Sequence, residues 1–471
     1  MKIVLHGFGT FPIVFYHMIV YARKAYPNVE WAIILTTDHH EYLFLDLLGR
    51  ENVAVLPQSC GGDFGELSSL DYPRNLFGDI EAEKQTLKNR RGEDQCRLAL
   101  AIYNGALAFM KSWCPNVALV AQVEGFDGKA FLAAAEVVGA ALVVPTGCRN
   151  IGGTYFSLDD QESLPPYADA SALGCRKMAE HFVESYRASP SPALAPVRFI
   201  DDELLERFRQ PLLHRATKAI WRWISQGRRL ELVHIRVSVQ NNIPFFRDMI
   251  WMIRRAVNQH YCDIRTMEQL PLKFIYYPLQ YSPESSINTP APYFVDQLRA
   301  IDAIRFSMPS DYRLVIKEHP SCISVRSSDL IKRLQRTAGV MVVHYCFPSI
   351  ELVQRAALTI SVTGTATLEA LFLGKPAITL GKCISANLLG GPSAIDELPK
   401  RIGESLEGKI SNEAVIDAIA KLFSVRNECI FAAPDLAGEP VLRRRNIKLL
   451  TDGLMAHCRK LAELSLKSDK Q

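Results

Sequence analysis

The stretch LTISVTGTATLEALFLGKPAITL, residues 358–380, decides the fold class of this chain. Its β-branched opening, 358–362, predicts a buried strand, and the small turn 363–365 leads from that strand into a helix. Gly374 and Pro376 end the helix, because glycine readily adopts the left-handed conformation past a helix end and proline cannot continue a helix. A second apolar strand follows. The stretch therefore predicts a βαβ unit of an α/β protein.

The turn of this unit, Thr363-Gly364-Thr365, is a candidate phosphate site. The first turn of a helix carries unpaired backbone N–H groups and a partial positive charge, and both favour phosphate. Glu369 lies one turn into the helix, where a carboxylate can reach a ribose hydroxyl beside that phosphate. The alternative is an ordinary βαβ link in which Thr365 serves only as the N-cap of the helix. This stretch alone does not decide between the two.

Length and composition restrict the class of protein. A chain of 471 residues predicts two domains with extensions, and a net charge of +4 is too small for a general nucleic-acid binder. The eleven cysteines form no Cys-x-x-Cys pair and no zinc-spaced cluster, which predicts reduced thiols and a cytoplasmic protein. The chain enters a strand directly after Met1 and has no apolar run long enough to span a bilayer. We therefore expect neither a signal peptide nor a transmembrane helix.

Alternating strand and helix patterns divide the chain into four predicted parts. Residues 1–190 and 269–440 are expected to form two Rossmann-like, doubly wound domains. Residues 191–268 are expected to be a linker and a basic helical segment, and 441–471 a helix that braces the first domain. The predicted fold class is therefore α/β, with two doubly wound domains and a helical basic insertion between them.

In the first domain, two acidic residues follow a predicted strand. Glu124 and Asp127 come directly after it, at the sheet edge where open α/β folds build their sites. Carboxylates there suit acid–base or nucleophilic work on a sugar. The alternative is a helix N-cap at Asp127 and a solvated turn. The patterns around this strand predict one charged helix over 80–113 and a loop over 146–167.

The segment between Arg207 and Arg255 has an unusual charge. It contains eleven arginine and lysine residues but only two acidic residues, Glu231 and Asp248. Tryptophan, phenylalanine and methionine residues lie among the basic ones. Basic helices with aromatic side chains suit an anionic membrane surface or an anionic, lipid-linked acceptor. Nucleic acid is the competing partner, but no fold motif supports it. A solvated basic face on a packed helical hairpin is the structural alternative.

Three loops of the second domain follow predicted parallel strands. They span 280–286, 317–320 and 363–365. Because the carboxyl ends of parallel strands lie along one edge of a sheet, the three loops can converge on one ligand. No Asp-x-Asp motif ends a predicted strand, so we expect neither a metal nor another cofactor at this edge.

The residues of these loops suit a phosphorylated sugar. Lys317 and His319 supply positive or donor groups for phosphate. Ser285 and Ser286 add hydroxyls, and Glu284 can accept hydrogen bonds from sugar hydroxyls. Phosphate-sugar binding is therefore favoured over three unrelated turns.

Four motifs follow one another in the second domain: YYPLQYSPESS (276–286), YRLVIKEHP (312–320), TGTATLEA (363–370) and GKP (374–376). Their order resembles the capsule polysaccharide biosynthesis family, which includes the retaining β-Kdo transferases of capsule and lipopolysaccharide assembly. The similarity spans roughly 273–381, and a helix with Gln297 lies within it. Relatives often have Gln-Pro-Glu where this chain has Ser282-Pro283-Glu284.

The resemblance implies a GT-B glycosyltransferase with two Rossmann-like domains facing a cleft. A nucleotide sugar, CMP-linked to an acid sugar in characterised relatives, would bind the second domain. By the resemblance, His319 and the 363–365 turn contact phosphate, and Glu369 contacts the nucleotide. Gln280 and Glu284 would face the sugar.

Three functions are compatible with these motifs. The first is transfer of a sugar, such as a Kdo-like one, from a nucleotide donor to a glycan or lipid-linked acceptor, with Glu124, Asp127 and His319 as catalytic candidates. A cytoplasmic enzyme with peripheral contact to the inner membrane face would fit this function. The second is a GT-B epimerase or hydrolase that acts on the nucleotide sugar alone. The third is a non-catalytic protein of polysaccharide export or assembly.

Overall fold

The computed structural model describes most of the chain. The described residues are 1–57, 72–83, 87, 91–123, 125–191, 244–281, 290–319, 322–323 and 326–468. They form two open α/β sheets, one after the other along the chain.

The first sheet has six strands in the order β3-β2-β1-β4-β5-β6. The first five run parallel, and β6 pairs antiparallel with β5. This is the Rossmann strand order, in which the chain reverses its direction across the sheet between β1 and β4. The strands are β1 (Lys2–Gly7), β2 (Glu30–Leu35), β3 (Val53–Val55), β4 (Val117–Val120), β5 (Ala141–Gly147) and β6 (Thr154–Ser157).

Helices cover both faces of this sheet, since parallel strands are apolar on both sides. One face packs with α1 and α2, and the other with α4 and α5. The helices are α1 (Phe11–Ala25), α2 (Glu41–Leu48), α3 (Leu76–Ala82), α4 (Gly92–Trp113), α5 (Phe126–Val138) and α6 (Leu173–Ala188).

The second sheet has five parallel strands in the order β11-β10-β7-β8-β9. Counted from its own first strand, this is the same Rossmann order, with the reversal between β7 and β10. The strands are β7 (Phe274–Pro278), β8 (Arg313–Lys317), β9 (Val340–Val343), β10 (Leu358–Ser361) and β11 (Ala377–Thr379). The helices that follow the first domain are α7 (Pro244–His260), α8 (Gln297–Ser307), α9 (Ser328–Gln335), α10 (Ser349–Arg355), α11 (Ala366–Phe372), α12 (Ile384–Leu388), α13 (Leu398–Glu407), α14 (Asn412–Val425), α15 (Pro434–Ala437) and α16 (Arg444–Ser468).

Two helices cross between the halves of the chain. Helix α6 packs against α14, and its Tyr186 belongs to the same apolar cluster as Leu371 and Phe372 of α11. The C-terminal helix α16 packs against α1, with Leu450 and Leu454 in the core of the first sheet. The 358–380 stretch folds as expected into β10, α11 and β11, and Gly374, two residues past the end of α11, has φ +70.

Two sequence-based expectations for the first half are wrong. The single helix over 80–113 is broken into α3 and α4. Glu83, directly after α3, has an extended backbone, and its buried carboxylate accepts the N–H of Leu87 at 2.7 Å. The loop over 146–167 contains β6, an added antiparallel edge strand whose residues are all buried.

Candidate active site

The candidate site of the second domain lies where the strand order of its sheet reverses, beside β7. Strand β7 is flanked by β8 on one side and β10 on the other. The ends of these three strands carry Gln280, Lys317 with His319, and the 363–365 turn. Ligands of open α/β folds bind outside the carboxyl ends of the strands at such a reversal. The described parts of the three predicted loops therefore lie side by side.

The side chain of Gln280 ties the ends of β7 and β10 together. Its Nε2 donates to Oγ of Ser361 at 2.7 Å, and the same oxygen accepts the backbone N–H of Gly364 at 3.0 Å. A Cβ on Gly364 would lie 2.6 Å from both Gln280 Nε2 and Ser361 Oγ. The turn therefore needs glycine for reasons of space, and the N–H of Gly364 is engaged within the protein.

A buried ion pair supports the same strand ends. The guanidinium of Arg326 donates to both carboxylate oxygens of Glu318, at 2.7 and 3.0 Å, and to the carbonyl of Gln280 at 2.7 Å. Glu318 also accepts the backbone N–H of His319 at 2.7 Å. Gln297 completes the frame by pairing with both backbone groups of Gln280. These bonds fix the direction in which the chain leaves β7 and β8.

Lys317 is an unusual cation, because its side chain is only 4% exposed. It is the last residue of β8, and its Nζ donates to Oγ of Ser349 at 3.2 Å. Burial lowers the pKa of Lys317 to about 8, although the nearby carboxylates of Glu318 and Glu369 act in the opposite direction. An ammonium held at such a cost is a candidate partner for an anionic ligand.

His319 stands beside this cation at the same edge. Its ring is half-buried and meets the ring of Tyr281 at 5.6 Å between centroids, in an edge-on arrangement. Burial and the charges of Lys317 and Arg326 lower the pKa of His319 to about 4. The imidazole is therefore neutral at physiological pH, and it can offer an N–H donor rather than a positive charge.

The turn after β10 differs from an ordinary capped helix start. Thr365 occupies the N-cap position of α11, but its side chain makes no capping hydrogen bond and the residue is exposed. Thr363 is half-buried beside it. Glu369 is buried on α11. The burial of Tyr186 of α6 raises the pKa of that tyrosine, and the charge of Glu369 raises it further. The carboxylate of Glu369 thus lies near Tyr186 of α6 and also near Lys317.

In the first domain, Asp127 lies at the corresponding reversal point, between β1 and β4. It is the second residue of α5, whose N-cap is Gly125, so Asp127 is not the N-cap. Its side chain is 14% exposed, and Oδ2 lies 3.0 Å from Nε2 of the fully buried His6. His6 belongs to β1 and pairs in register with Val120 of β4. The predicted carboxylate is therefore held at the edge by a residue 121 positions away.

A buried charge network lies farther along α5. Lys129 Nζ lies 2.5 Å from Asp160 Oδ2, and the same oxygen is 2.6 Å from a guanidinium nitrogen of Arg74. Burial alone would raise the pKa of Asp160, but Lys129 and Arg74 outweigh it and lower the pKa. Tyr72 donates to Asp79, which lies 4.0 Å from Lys129. Since these groups satisfy one another, the network holds the segments around α5 together.

Four predicted site residues lie outside the described residues, and their roles stay predictions: Glu124, Glu284, Ser285 and Ser286. Most of the predicted basic segment, 192–243, also lies outside the described residues.

Within the described part of the chain, no group of three or more histidine, cysteine, aspartate or glutamate side chains is arranged to hold a metal ion. Among the same residues, no helix is both long and apolar enough to cross a bilayer.

Sequence reasoning missed the residues that hold the site together. Glu318 stands inside the Lys-Glu-His-Pro motif, where a carboxylate beside a buried strand end could have suggested a buried partner. Ser361 and His6 gave no comparable signal, because their side-chain partners Gln280 and Asp127 are 81 and 121 positions away. Arg326 is only eight positions from Glu318, but no motif links the two residues.

The fold defines the class of protein. Two Rossmann-like, doubly wound domains follow one another, and α6 and α16 cross between them, so the predicted GT-B-like α/β fold class is confirmed. Residues 240–387 match the family model for capsule polysaccharide biosynthesis protein. The resemblance drawn from the motifs is thereby confirmed over that segment, which contains Gln280, Lys317, His319 and the 363–365 turn. No match was found among curated protein sequences.

Solved structures similar to this chain include two β-Kdo transferases and a UDP-GlcNAc 2-epimerase. The β-Kdo 2,7 transferase KpsC of Thermosulfurimonas dismutans is 14% identical, with 89% of each chain covered and a TM-score of 0.31. The β-Kdo 2,4 transferase KpsC of the same organism is 11% identical, over 65% of this chain and 79% of that chain, with a TM-score of 0.33. The UDP-GlcNAc 2-epimerase of Methanocaldococcus jannaschii is 13% identical, over 87% of this chain and 94% of that chain, with a TM-score of 0.25.

Proposed function

We propose that this protein is a glycosyltransferase of capsule polysaccharide biosynthesis that uses a nucleotide-sugar donor. One observation carries the proposal. The buried ammonium of Lys317 and the half-buried imidazole of His319 stand together at the reversal point of the second sheet. This edge is where doubly wound domains bind nucleotides, and both residues lie inside the segment that matches the family model.

The donor phosphate would be recognised by these two side chains and the turn beside them. Lys317 supplies the positive charge, and neutral His319 supplies a directed N–H donor. When the bond between the sugar and the phosphate breaks, negative charge grows on the departing phosphate oxygen. Donors already fixed around that oxygen stabilise the transition state more than the ground state. Glu369 on the nucleotide side, and Gln280 with Glu284 on the sugar side, complete the proposed donor site.

The acceptor would approach from the first domain, where Asp127 is the described carboxylate at the reversal point. As a base, Asp127 would take the proton of the acceptor hydroxyl; as a nucleophile, it would attack the anomeric carbon. A CMP-linked, Kdo-like acid sugar is the proposed donor, because the similar motifs in the second domain belong to a family with such transferases. The acceptor is proposed to be a glycan or a lipid-linked glycan.

A turnover assay tests the proposal. The purified protein is incubated with CMP-Kdo or UDP-GlcNAc, with and without a saccharide acceptor, and free nucleotide is measured by chromatography. We expect nucleotide release that depends on the acceptor. Conversion of the donor to an epimer without release would favour an epimerase instead. Absence of both turnover and binding with every nucleotide sugar would overturn the proposal.

The variant His319→Ala separates catalysis from assembly. If His319 stabilises the departing phosphate, its loss lowers kcat/KM by the equivalent of about 2–4 kcal/mol, as for other removed transition-state donors. In cells, capsule production would fall with it. Unchanged capsule production in cells carrying His319→Ala would favour a non-catalytic assembly protein.

We further propose peripheral contact with an anionic membrane through α7. Ile250, Met252 and Ile253 are 47%, 43% and 56% exposed on this helix, and Arg254 is exposed beside them. Apolar side chains with adjacent arginines favour an interface rich in anionic lipid. Cosedimentation with phosphatidylglycerol vesicles should fall for Ile253→Asp. It should not fall for Phe306→Asp, which changes an exposed apolar residue on α8. Equal binding by both variants would contradict the contact.

A further inference from the structure

We propose that His6 is a positioning residue that fixes the carboxylate of Asp127 toward the acceptor. This inference rests on the proposed function, in which Asp127 meets the reacting atoms. It concerns a residue at the end of the first strand that no sequence motif marks.

The location of the pair supports the inference. His6 is in β1 and Asp127 follows β4, and these are the two neighbouring strands between which the first sheet reverses. Side chains at such a reversal stand where the ligand of a doubly wound domain binds. His6 is fully buried, whereas the side chain of Asp127 is 14% exposed and reaches the surface.

The contacts of His6 show which ring nitrogen faces Asp127. Its Nε2 faces Asp127 Oδ2 at 3.0 Å, whereas its Nδ1 is buried with no hydrogen-bond partner among the described residues. The ring packs against Phe131, with centroids 5.2 Å apart. A carboxylate oxygen accepts hydrogen bonds and does not donate them. The geometry therefore places a proton on Nε2, which donates to Oδ2 of Asp127.

The same contacts fix the orientation of the carboxylate. Oδ2 is held by His6, and Oδ1 lies over Gly125, where a Cβ would be only 2.1 Å away. Glycine at 125 thus leaves the space that this carboxylate orientation occupies. A carboxylate that meets a reacting atom must be held within a fraction of an ångström, because small misplacements lower rates by about two orders of magnitude. His6 does not touch the substrate and acts through Asp127.

The first experiment reads the pair without any substrate. Long-range ¹H–¹⁵N spectra of histidine-labelled protein report the protonation of each ring nitrogen, and the loss of one signal set in His6→Gln assigns His6. We expect a proton on Nε2. A ring protonated only at Nδ1 would overturn the inference even if the protein transfers sugar.

The second experiment measures the effect on turnover, with CMP-Kdo as the donor and nucleotide release as the readout. We expect His6→Ala to lower kcat about 10- to 100-fold without changing KM for CMP-Kdo, because the donor site is in the other domain. His6→Gln should recover most of the rate, since the glutamine amide nitrogen can stand where Nε2 stands. Thermal unfolding of each variant shows that it is folded.

The control is His17→Ala, which removes an exposed histidine from α1 in the same domain and should leave kcat unchanged. If wild-type protein turns over CMP-Kdo and His6→Gln, though folded, is as slow as His6→Ala, the positioning role is wrong. A rise in KM with unchanged kcat would also contradict it. If the wild-type protein turns over no nucleotide sugar, the proposed function fails, and the spectra still decide the state of the pair.

Discussion

Replacing Lys317 with methionine should stabilise the protein while weakening its proposed donor site. The pKa of Lys317 falls from its ordinary 10.5 to about 8 because the ammonium is buried. A difference of this size corresponds to about 3 kcal/mol of destabilisation of the folded, charged form. Methionine has a similar length and no charge. It also gives up the hydrogen bond to Ser349, which contributes about 1 kcal/mol. At pH 7 we therefore expect a net gain of about 2 kcal/mol in the free energy of unfolding.

The effect should depend on pH in a defined direction. Because the folded-state pKa of Lys317 is lowered, the folded protein binds fewer protons than the unfolded chain between about pH 8 and 10.5. The cost of the buried charge is fully present below about pH 8 and is relieved as the pH rises through this window. At pH 9.5 we expect the difference between Lys317→Met and wild type to be close to zero.

Urea unfolding at pH 7 and 9.5, followed by circular dichroism, measures this difference. Lys400→Met is the matched control, because Lys400 has a side chain that is 80% exposed, on α13, and its removal should leave stability unchanged at both values. A Lys317→Met protein that is less stable than wild type at pH 7 would refute the reasoning. An equal gain at both pH values would refute the assignment of the effect to charge.

Two further variants test the buried ion pairs. Arg326→Met leaves the carboxylate of Glu318 buried without its cation, so the free energy of unfolding measured by urea titration should fall by about 3–5 kcal/mol. A fall below about 1 kcal/mol would show that the pair is exposed in solution. Asp160→Asn removes the charge shared by two cations of the first domain and should lower the thermal midpoint. The size of that decrease should shrink at pH values low enough to protonate the carboxylate, and a decrease independent of pH would contradict the lowered pKa of Asp160.

The sequence predicts the frame of each domain well because the signals are local. The 358–380 stretch carries its strand, turn and helix end within 23 residues, and each is set by neighbouring side chains. The expectation for 80–113 failed at Glu83. Its carboxylate accepts the backbone N–H of Leu87, four residues later, and helical charge patterning does not report such a competing local bond.

In the candidate site, too, local patterns predict positions along the chain, whereas long-range contacts decide the chemistry. The positions of Lys317 and His319 at a strand end follow from the local pattern, but their pKa values depend on burial by elements far along the chain. The pair of His6 with Asp127 joins residues 121 positions apart, so only the sheet order brings them together. Residue types therefore predict which groups can act, and the fold decides which of them meet.

The central claim is that the reversal point of the second sheet binds a nucleotide sugar. Calorimetric titration of wild type, Gly364→Ala and Gly403→Ala with CMP and UDP tests it most directly. A Cβ at Gly364 would collide with Gln280 and Ser361, whereas one at Gly403 meets nothing within 4 Å. We predict that wild type and Gly403→Ala bind at least one of the two nucleotides, and that Gly364→Ala binds it at least about tenfold more weakly, equivalent to about 1.4 kcal/mol. Failure of wild type to bind either nucleotide, or equal affinity in all three proteins, would contradict the claim.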